Sequence, residues 1–335
     1  MTELMAQTFN DVRFDETGRI KELIAQRRAR RERSITGQGH SLAMSAASSG
    51  MSGLSAQQEA WGGMSGIRDV IALDDALKAD PQAMTDLCTT LQSIHSKLAG
   101  AAKQVLLVAE PHHKDALLEA ITPMWAGVAN HEQLSHFSLP AIDKTIKQAW
   151  VTATQVSFCA KAFKAVSGEH PDVPVLTVLG GFLRNGFLHR AIREQGGAYG
   201  GGATFDASCG AFRFYSYRDP RLLETLADFD ASIDWLLANE HSHDALEEAV
   251  LGVIGSMDKP GSPAGEAQSD FFQQLHHRTR EYREAFRAGV LGVTVDDLKR
   301  VAKLYLTKEN ENTAVVTATS NKAMLEEAGF EVCTL

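Results

Sequence analysis

From about residue 15 to 78 the apolar positions recur with a helical period, and no segment alternates as a strand does. Asp15 or Thr17 can cap a helix from Gly18 to about Ser34, with Ile20, Leu23 and Ile24 on one face. Residues 34–56 are dominated by Gly, Ala and Ser. That composition suits a flexible linker or helices packed closely through small faces. The anchors Leu42, Met44, Met51 and Leu54 favour packing.

From about residue 80 the pattern mixes both periods. A helix is expected over Gln82–Ala99, then a buried strand at Val105–Ala109, closed by Glu110-Pro111, and a helix through Leu117 and Ile121. Residues 147–164 carry β-prone apolar stretches, and a long helix spans about Pro174 to Arg193. An aromatic strand follows at Gly210–Tyr217, with Phe212 and Phe214 on one face by alternation. Helical segments are expected near 221–238, 243–256, 266–290 and 295–305, and the strand Thr313–Ala318 closes the set. Strands interrupted by helices describe an α+β fold: an N-terminal helical segment (1–79), then one α/β domain (80–335) with helices packed on a single sheet.

Composition changes this picture little. Hydrophobic residues make up 44% and charged residues 22% of 335, which is ordinary for a globular chain. The net charge of −9 argues against nucleic acid as a partner and mildly favours cationic ones. The basic run Arg27–Arg33 lacks interleaved aromatics and reads as a helix face. No apolar run reaches the roughly 18 residues of a membrane span, so no membrane partner is expected. Met1–Phe14 does not read as a targeting segment. The four cysteines, Cys88, Cys159, Cys209 and Cys333, form no CxxC pair. They suggest a reducing compartment, cytoplasmic or, alternatively, the mitochondrial matrix.

The candidate chemistry is concentrated in residues 187–220. Leu179, Leu183 and Phe187, continued by Leu188 and Ile192, form an apolar helical stripe that Gly196-Gly197 should stop near Gln195. Arg193 then lies in the last turn, where a cation complements the helix dipole. Tyr199 follows the stop, and Gly200-Gly201-Gly202 leaves a bare backbone that another chain can approach. Phosphate-cradling loops leave a strand and open a helix, whereas this one leaves a helix and has no GK[ST] ending. On spacing alone two readings stay open. In one, Arg193 and Tyr199 contact a ligand; in the other, Arg193 only serves the dipole and Tyr199 belongs to the core.

Arg193 followed by Gly196-Gly197-Ala198-Tyr199-Gly200, then Tyr215-Ser216-Tyr217-Arg218-Asp219-Pro220, resembles the C-terminal half of the insulinase/pitrilysin superfamily, presequence-protease branch. Gly39-His40-Ser41 and Met257-Asp258-Lys259-Pro260 extend the likeness to nearly the whole chain. The resemblance implies a clam-shell zinc metallopeptidase that degrades short unstructured peptides. Its N-terminal half carries zinc on an H-x-x-E-H motif and is the expected partner. By that likeness Arg193 and Tyr199 are catalytic, holding the peptide backbone and polarising its carbonyl, with Gly197, Gly200 and Gly201 lining the substrate. None of the twelve histidines here lies in H-x-x-E-H. His131-Glu132-Gln133-Leu134-Ser135-His136 is one residue too long, and His112-His113 and His276-His277 are adjacent and expected to point apart. This chain is therefore expected to bind no zinc and to be inactive alone. The alternative is a non-catalytic binding or assembly subunit of the same fold.

Overall fold

The computed structural model describes residues 2–126 and 137–335. The His131–His136 segment lies outside the described residues. The helices are α1 (Thr2–Asn10), α2 (Thr17–Ser48), α3 (Gly53–Gly62), α4 (Met64–Ala79), α5 (Pro81–Gly100), α6 (Lys114–Ala126), α7 (Val173–Leu183), α8 (Leu223–Ala238), α9 (His243–Met257), α10 (Pro263–Leu275), α11 (Arg280–Leu291), α12 (Val295–Tyr305) and α13 (Lys322–Glu327). The strands are β1 (Lys147–Thr152), β2 (Phe158–Lys164), β3 (Gly200–Asp206), β4 (Ala211–Tyr217), β5 (Glu311–Ala318) and β6 (Glu331–Thr334). The α+β expectation holds.

The chain divides into two packing units. One comprises residues 1–29, 70–138 and 261–277; the other comprises 30–69, 139–260 and 278–335. Residues 30–69 precede position 79 in sequence but belong to the unit with the sheet, so packing units interleave along the chain.

In the sheet unit the six strands are ordered β3-β4-β2-β5-β1-β6. β5 and β6 flank β1 in parallel, while β2 pairs antiparallel with both β4 and β5, and β3 pairs antiparallel with β4. Alternation along β4 divides its side chains between two faces. Phe212 and Phe214 are fully buried in the main core with Leu176, Leu179, Phe182 and Leu183 of α7 and Phe229 of α8. Removing that much apolar surface from water, at roughly 25 cal/mol per Å², is the main force holding these layers together. Lys161 of β2 is buried there but ion-paired to Asp230 at 2.6 Å and Glu311 at 3.0 Å, which offsets the cost of burying its charge.

The small-residue end of α2 packs, as its anchors suggested. Leu42, Ala43, Ala46, Ala47 and Met51 are buried. Gly39 lies so close to the Phe158 ring of β2 that a Cβ there would overlap it. Arg213 of β4 donates from Nε to the Ser48 hydroxyl at 2.8 Å. α2 bends at Gln38, whose φ/ψ of −128°/20° is not helical.

In the other unit buried Asp74 accepts from Arg28 at 2.9 Å and from Lys78 at 2.5 Å. The His95 ring Nε2 lies 2.8 Å from the Phe9 carbonyl oxygen. The expected strand at Val105–Ala109 is absent. Its backbone forms no ladder, and Val105, Leu106 and Val108 are 53%, 39% and 44% exposed. β-branched composition measures fit to a pleated, half-buried surface, and without a partner strand it does not make a strand. The single helix expected over 266–290 is two, α10 and α11. They are separated by His277 in the left-handed region at φ 56°, and the Thr279 side chain caps α11 by accepting from the Tyr282 N–H.

Candidate functional site

The expected long helix is α7 followed without a break by a π-helical stretch, Arg184–Gln195. Such stretches occur often at functional sites. Of the apolar stripe, Leu179, Leu183, Leu188 and Ile192 are fully buried, while Phe187 is only partly buried against the same core. The stop is also where the glycines place it. Gly197 adopts φ +79°, a conformation that glycine enters without strain, and its N–H bonds the Arg193 carbonyl at 3.1 Å. Ala198 then donates to the Ile192 carbonyl at 3.1 Å. Arg221 closes the helix end from outside, its guanidinium donating to the Ala191 carbonyl at 3.3 Å and to Asp228 at 2.8 Å.

Immediately after this stop the chain turns outward. The Tyr199 N–H reaches the Arg218 carbonyl at 3.4 Å, and the Tyr199 side chain is 69% exposed. That exposure removes the reading in which Tyr199 belongs to the core. Arg193 is also exposed, with its guanidinium 3.4 Å from the His189 ring nitrogen. Gly197 is exposed too, and Gly200 and Gly201 are half-buried at the start of β3.

The triple glycine is thus a strand as well as a bare backbone. Gly200, Gly201 and Gly202 pair with Tyr217, Ser216 and Tyr215, and β3 is an edge of the sheet. A Cβ on Gly200 would meet open space, whereas one on Gly201 would press on Ile192 and the Tyr215 carbonyl. Glycine is depleted in strands, so composition concealed β3.

The opposing segment Tyr217–Arg221 turns a corner around one buried polar residue, Asp219. Asp219 is fully buried and exchanges both backbone hydrogen bonds with Ser157 at 2.8 Å. Its carboxylate accepts from the Arg221 N–H at 3.0 Å and the Thr225 hydroxyl at 2.8 Å. Arg218 sits at φ 50°, a strained conformation for a side-chain-bearing residue. Its guanidinium lies over the Tyr217 ring, 5.4 Å from the centroid.

Tyr217 stood in the motif and at the strand end without a role of its own. Its ring meets Tyr199 edge-on at 5.6 Å and His40 edge-on at 4.9 Å, with Phe158 at 5.8 Å. His40 comes from α2, far away in sequence, and burial pulls its pKa down, so the ring is neutral near pH 7. Only the Gly39-His40-Ser41 likeness had pointed there.

The arrangement presents a guanidinium and a phenol to solvent, on backbone fixed by a helix stop and a strand ladder. Both groups are hydrogen-bond donors suited to a carbonyl oxygen. Metal-ligating side chains cluster elsewhere. Among the described residues, Glu110–His112–His113 and His243–Asp244–Glu247 each bring three candidate ligand atoms within 4.8 Å, and all six residues are exposed. The rings of His112 and His113 in fact approach to 4.0 Å in a 3₁₀ turn, correcting the expectation that they point apart. Neither group has the H-x-x-E-H pattern or the sheltered setting of a catalytic zinc, so these residues do not fit that metal.

Residues 147–321 match the family model described as the PreP C-terminal domain, and residues 1–73 match that of the region associated with peptidase family M16, subfamily C. The chain belongs to the presequence-protease family. The mitochondrial presequence protease of Yarrowia lipolytica is 32% identical over 310 residues, covering 91% of this chain and 31% of the relative. That of Drosophila melanogaster is 32% identical over 329 residues, covering 92% of this chain and 29% of the relative. The chain thus spans about a third of the length of these relatives. Both names place those relatives in mitochondria, which lends the cytoplasmic expectation no support. The fold is also that of an inactive M16 peptidase domain from Pseudomonas fluorescens, with TM-score 0.64 and 17% identity over 95% of this chain and 74% of that one.

Proposed function

We propose that this chain forms the substrate-holding wall of a zinc metalloendopeptidase that degrades short unstructured peptides, with the metal held by the N-terminal half of the complete protein. Arg193 binds the peptide backbone, and Tyr199 donates its phenolic hydrogen to the carbonyl oxygen under attack. The glycines Gly197, Gly200 and Gly201 keep the approach free of side chains. The supporting observation is Tyr199 itself, a large ring 69% exposed on backbone pinned by the Arg218 carbonyl and the β3–β4 ladder. A donor aimed at developing negative charge lowers a barrier by a few kcal/mol, and a fixed donor does so without reorganisation. The family membership supplies the peptidase context. A mitochondrial-matrix type of compartment suits the cysteines, whose thiols are free at all four positions.

The test is peptide cleavage by the complete peptidase carrying Arg193→Ala or Tyr199→Phe. Each variant is expected to lose about tenfold or more in kcat/KM, with folding and zinc content unchanged. Near-wild-type rates in both would show that the motif only shapes the fold.

A further inference from the structure

We propose that Tyr217 is the positioning residue for Tyr199, selecting the one rotamer of that exposed ring that faces a bound peptide. The inference rests on the reading of Tyr199 given above and deepens it.

An exposed tyrosine has three staggered χ1 wells of similar energy, and a donor that visits all three is preorganised in none. Among the described residues Tyr199 has one ring neighbour, Tyr217, which meets it at 5.6 Å with the planes 79° apart, the favoured edge-to-face geometry. Tyr217 is itself caged. The His40 ring stands against it at 4.9 Å and 76°, Phe158 lies at 5.8 Å, and the Arg218 guanidinium covers it at 5.4 Å.

The cage is braced from separate elements. Phe158 is fully buried on β2, and His40 arrives on α2 through the close approach of Gly39 to Phe158. Arg218 holds its strained φ of 50° while its carbonyl receives the Tyr199 N–H, so one residue fixes the backbone of Tyr199 and stacks on the ring that fixes its side chain. The residue opposite Tyr217 in the ladder is Gly200, which has no side chain to compete for that contact. Tyr199, Tyr217 and His40 thus form a relay from an exposed donor to the packed, small-residue end of α2, and none of the three lies in the main apolar core.

The experiment is a kinetic double-mutant cycle in the complete peptidase: Tyr199→Ala, Tyr217→Leu and the pair, with Tyr217→Phe as the conservative variant. Tyr217→Leu is expected to lower kcat by about threefold to tenfold with KM little changed, the range that the geometry of one aromatic pair carries. Tyr217→Phe keeps the ring and should retain the wild-type rate. In the Tyr199→Ala background Tyr217→Leu should have no further effect. If Tyr217→Leu folds poorly, His40→Leu opens the cage from its other side, and its smaller kcat loss should likewise vanish without Tyr199.

Three results overturn the proposal. A wild-type rate for Tyr217→Leu beside an impaired Tyr199→Ala sinks the positioning role and leaves the reading of Tyr199 standing. Losses that multiply in the pair would place the action of Tyr217 elsewhere. A wild-type rate for Tyr199→Ala removes the underlying reading itself.

Discussion

Asp219 and Tyr199 belong to the same corner of the sheet and live under opposite rules. Asp219 is fully buried, and its backbone and both carboxylate oxygens are engaged by Ser157, Arg221 and Thr225. Tyr199 stands 69% exposed, and among the described residues its ring meets one other, edge-on. The first residue is a stability element, because a buried carboxylate is tolerated only when its partners are complete. The second is dispensable for stability, because little of its surface leaves water on folding. A functional group held on a rigid corner without contributing to it is what a substrate-facing donor requires.

Breaking the buried side should give the largest effect on folding. Asp219→Ala strands the Arg221 N–H and the Thr225 hydroxyl in the interior, and a loss of roughly 3 kcal/mol is expected in denaturant unfolding. A change near zero would mean that the corner is held by other contacts. Next comes Gly39→Val, which forces a side chain into the Phe158 ring and should cost about 2 kcal/mol by overpacking. Its measured unfolding midpoint would also show whether the small-residue part of α2 is integral to the sheet unit, as its buried alanines indicate.

On the exposed side Tyr199→Ala should shift stability by no more than about 0.5 kcal/mol, as for an ordinary surface substitution. A larger loss would erase the contrast between the two residues. The smallest effect concerns pH. Burial lowers the His40 pKa in the fold, so below its unfolded value of about 6.5 the unfolded chain takes up a proton that the fold resists. The contribution of His40 is therefore present above that pH and is lost as pH falls through it. The stability of wild type relative to His40→Leu should decline between pH 8 and 5, and a flat difference would contradict the assignment of burial as the cause.

What could be read from sequence follows the range of the interactions involved. Leu179, Leu183 and Ile192 announced their buried stripe because helical packing repeats at local spacing, and Gly196-Gly197 announced its end by backbone chemistry alone. Phe212 and Phe214 were legible by alternation. Val105–Ala109 misled because strand formation depends on a partner that composition does not reveal, and β3 was hidden because its pairing with β4 overrides the poor strand propensity of three glycines. The contact of His40 with Tyr217 joins distant parts of the chain, and nothing local to either residue encodes it. The exposure of Tyr199, the fact that separates substrate contact from core packing, emerges only when the corner is assembled.

Contact between Tyr199 and the peptide can be captured by site-directed photocrosslinking. A photoreactive phenylalanine analogue is placed at position 199 of the complete peptidase, inactivated in its zinc-bearing half, and irradiated with an unstructured peptide. The same analogue at Leu251, which is 59% exposed on α9, serves as the control. A peptide adduct is expected at position 199 that excess unlabelled peptide suppresses, with little or none at 251. No adduct at 199, or equal labelling at both positions, would mean that Tyr199 does not face the peptide.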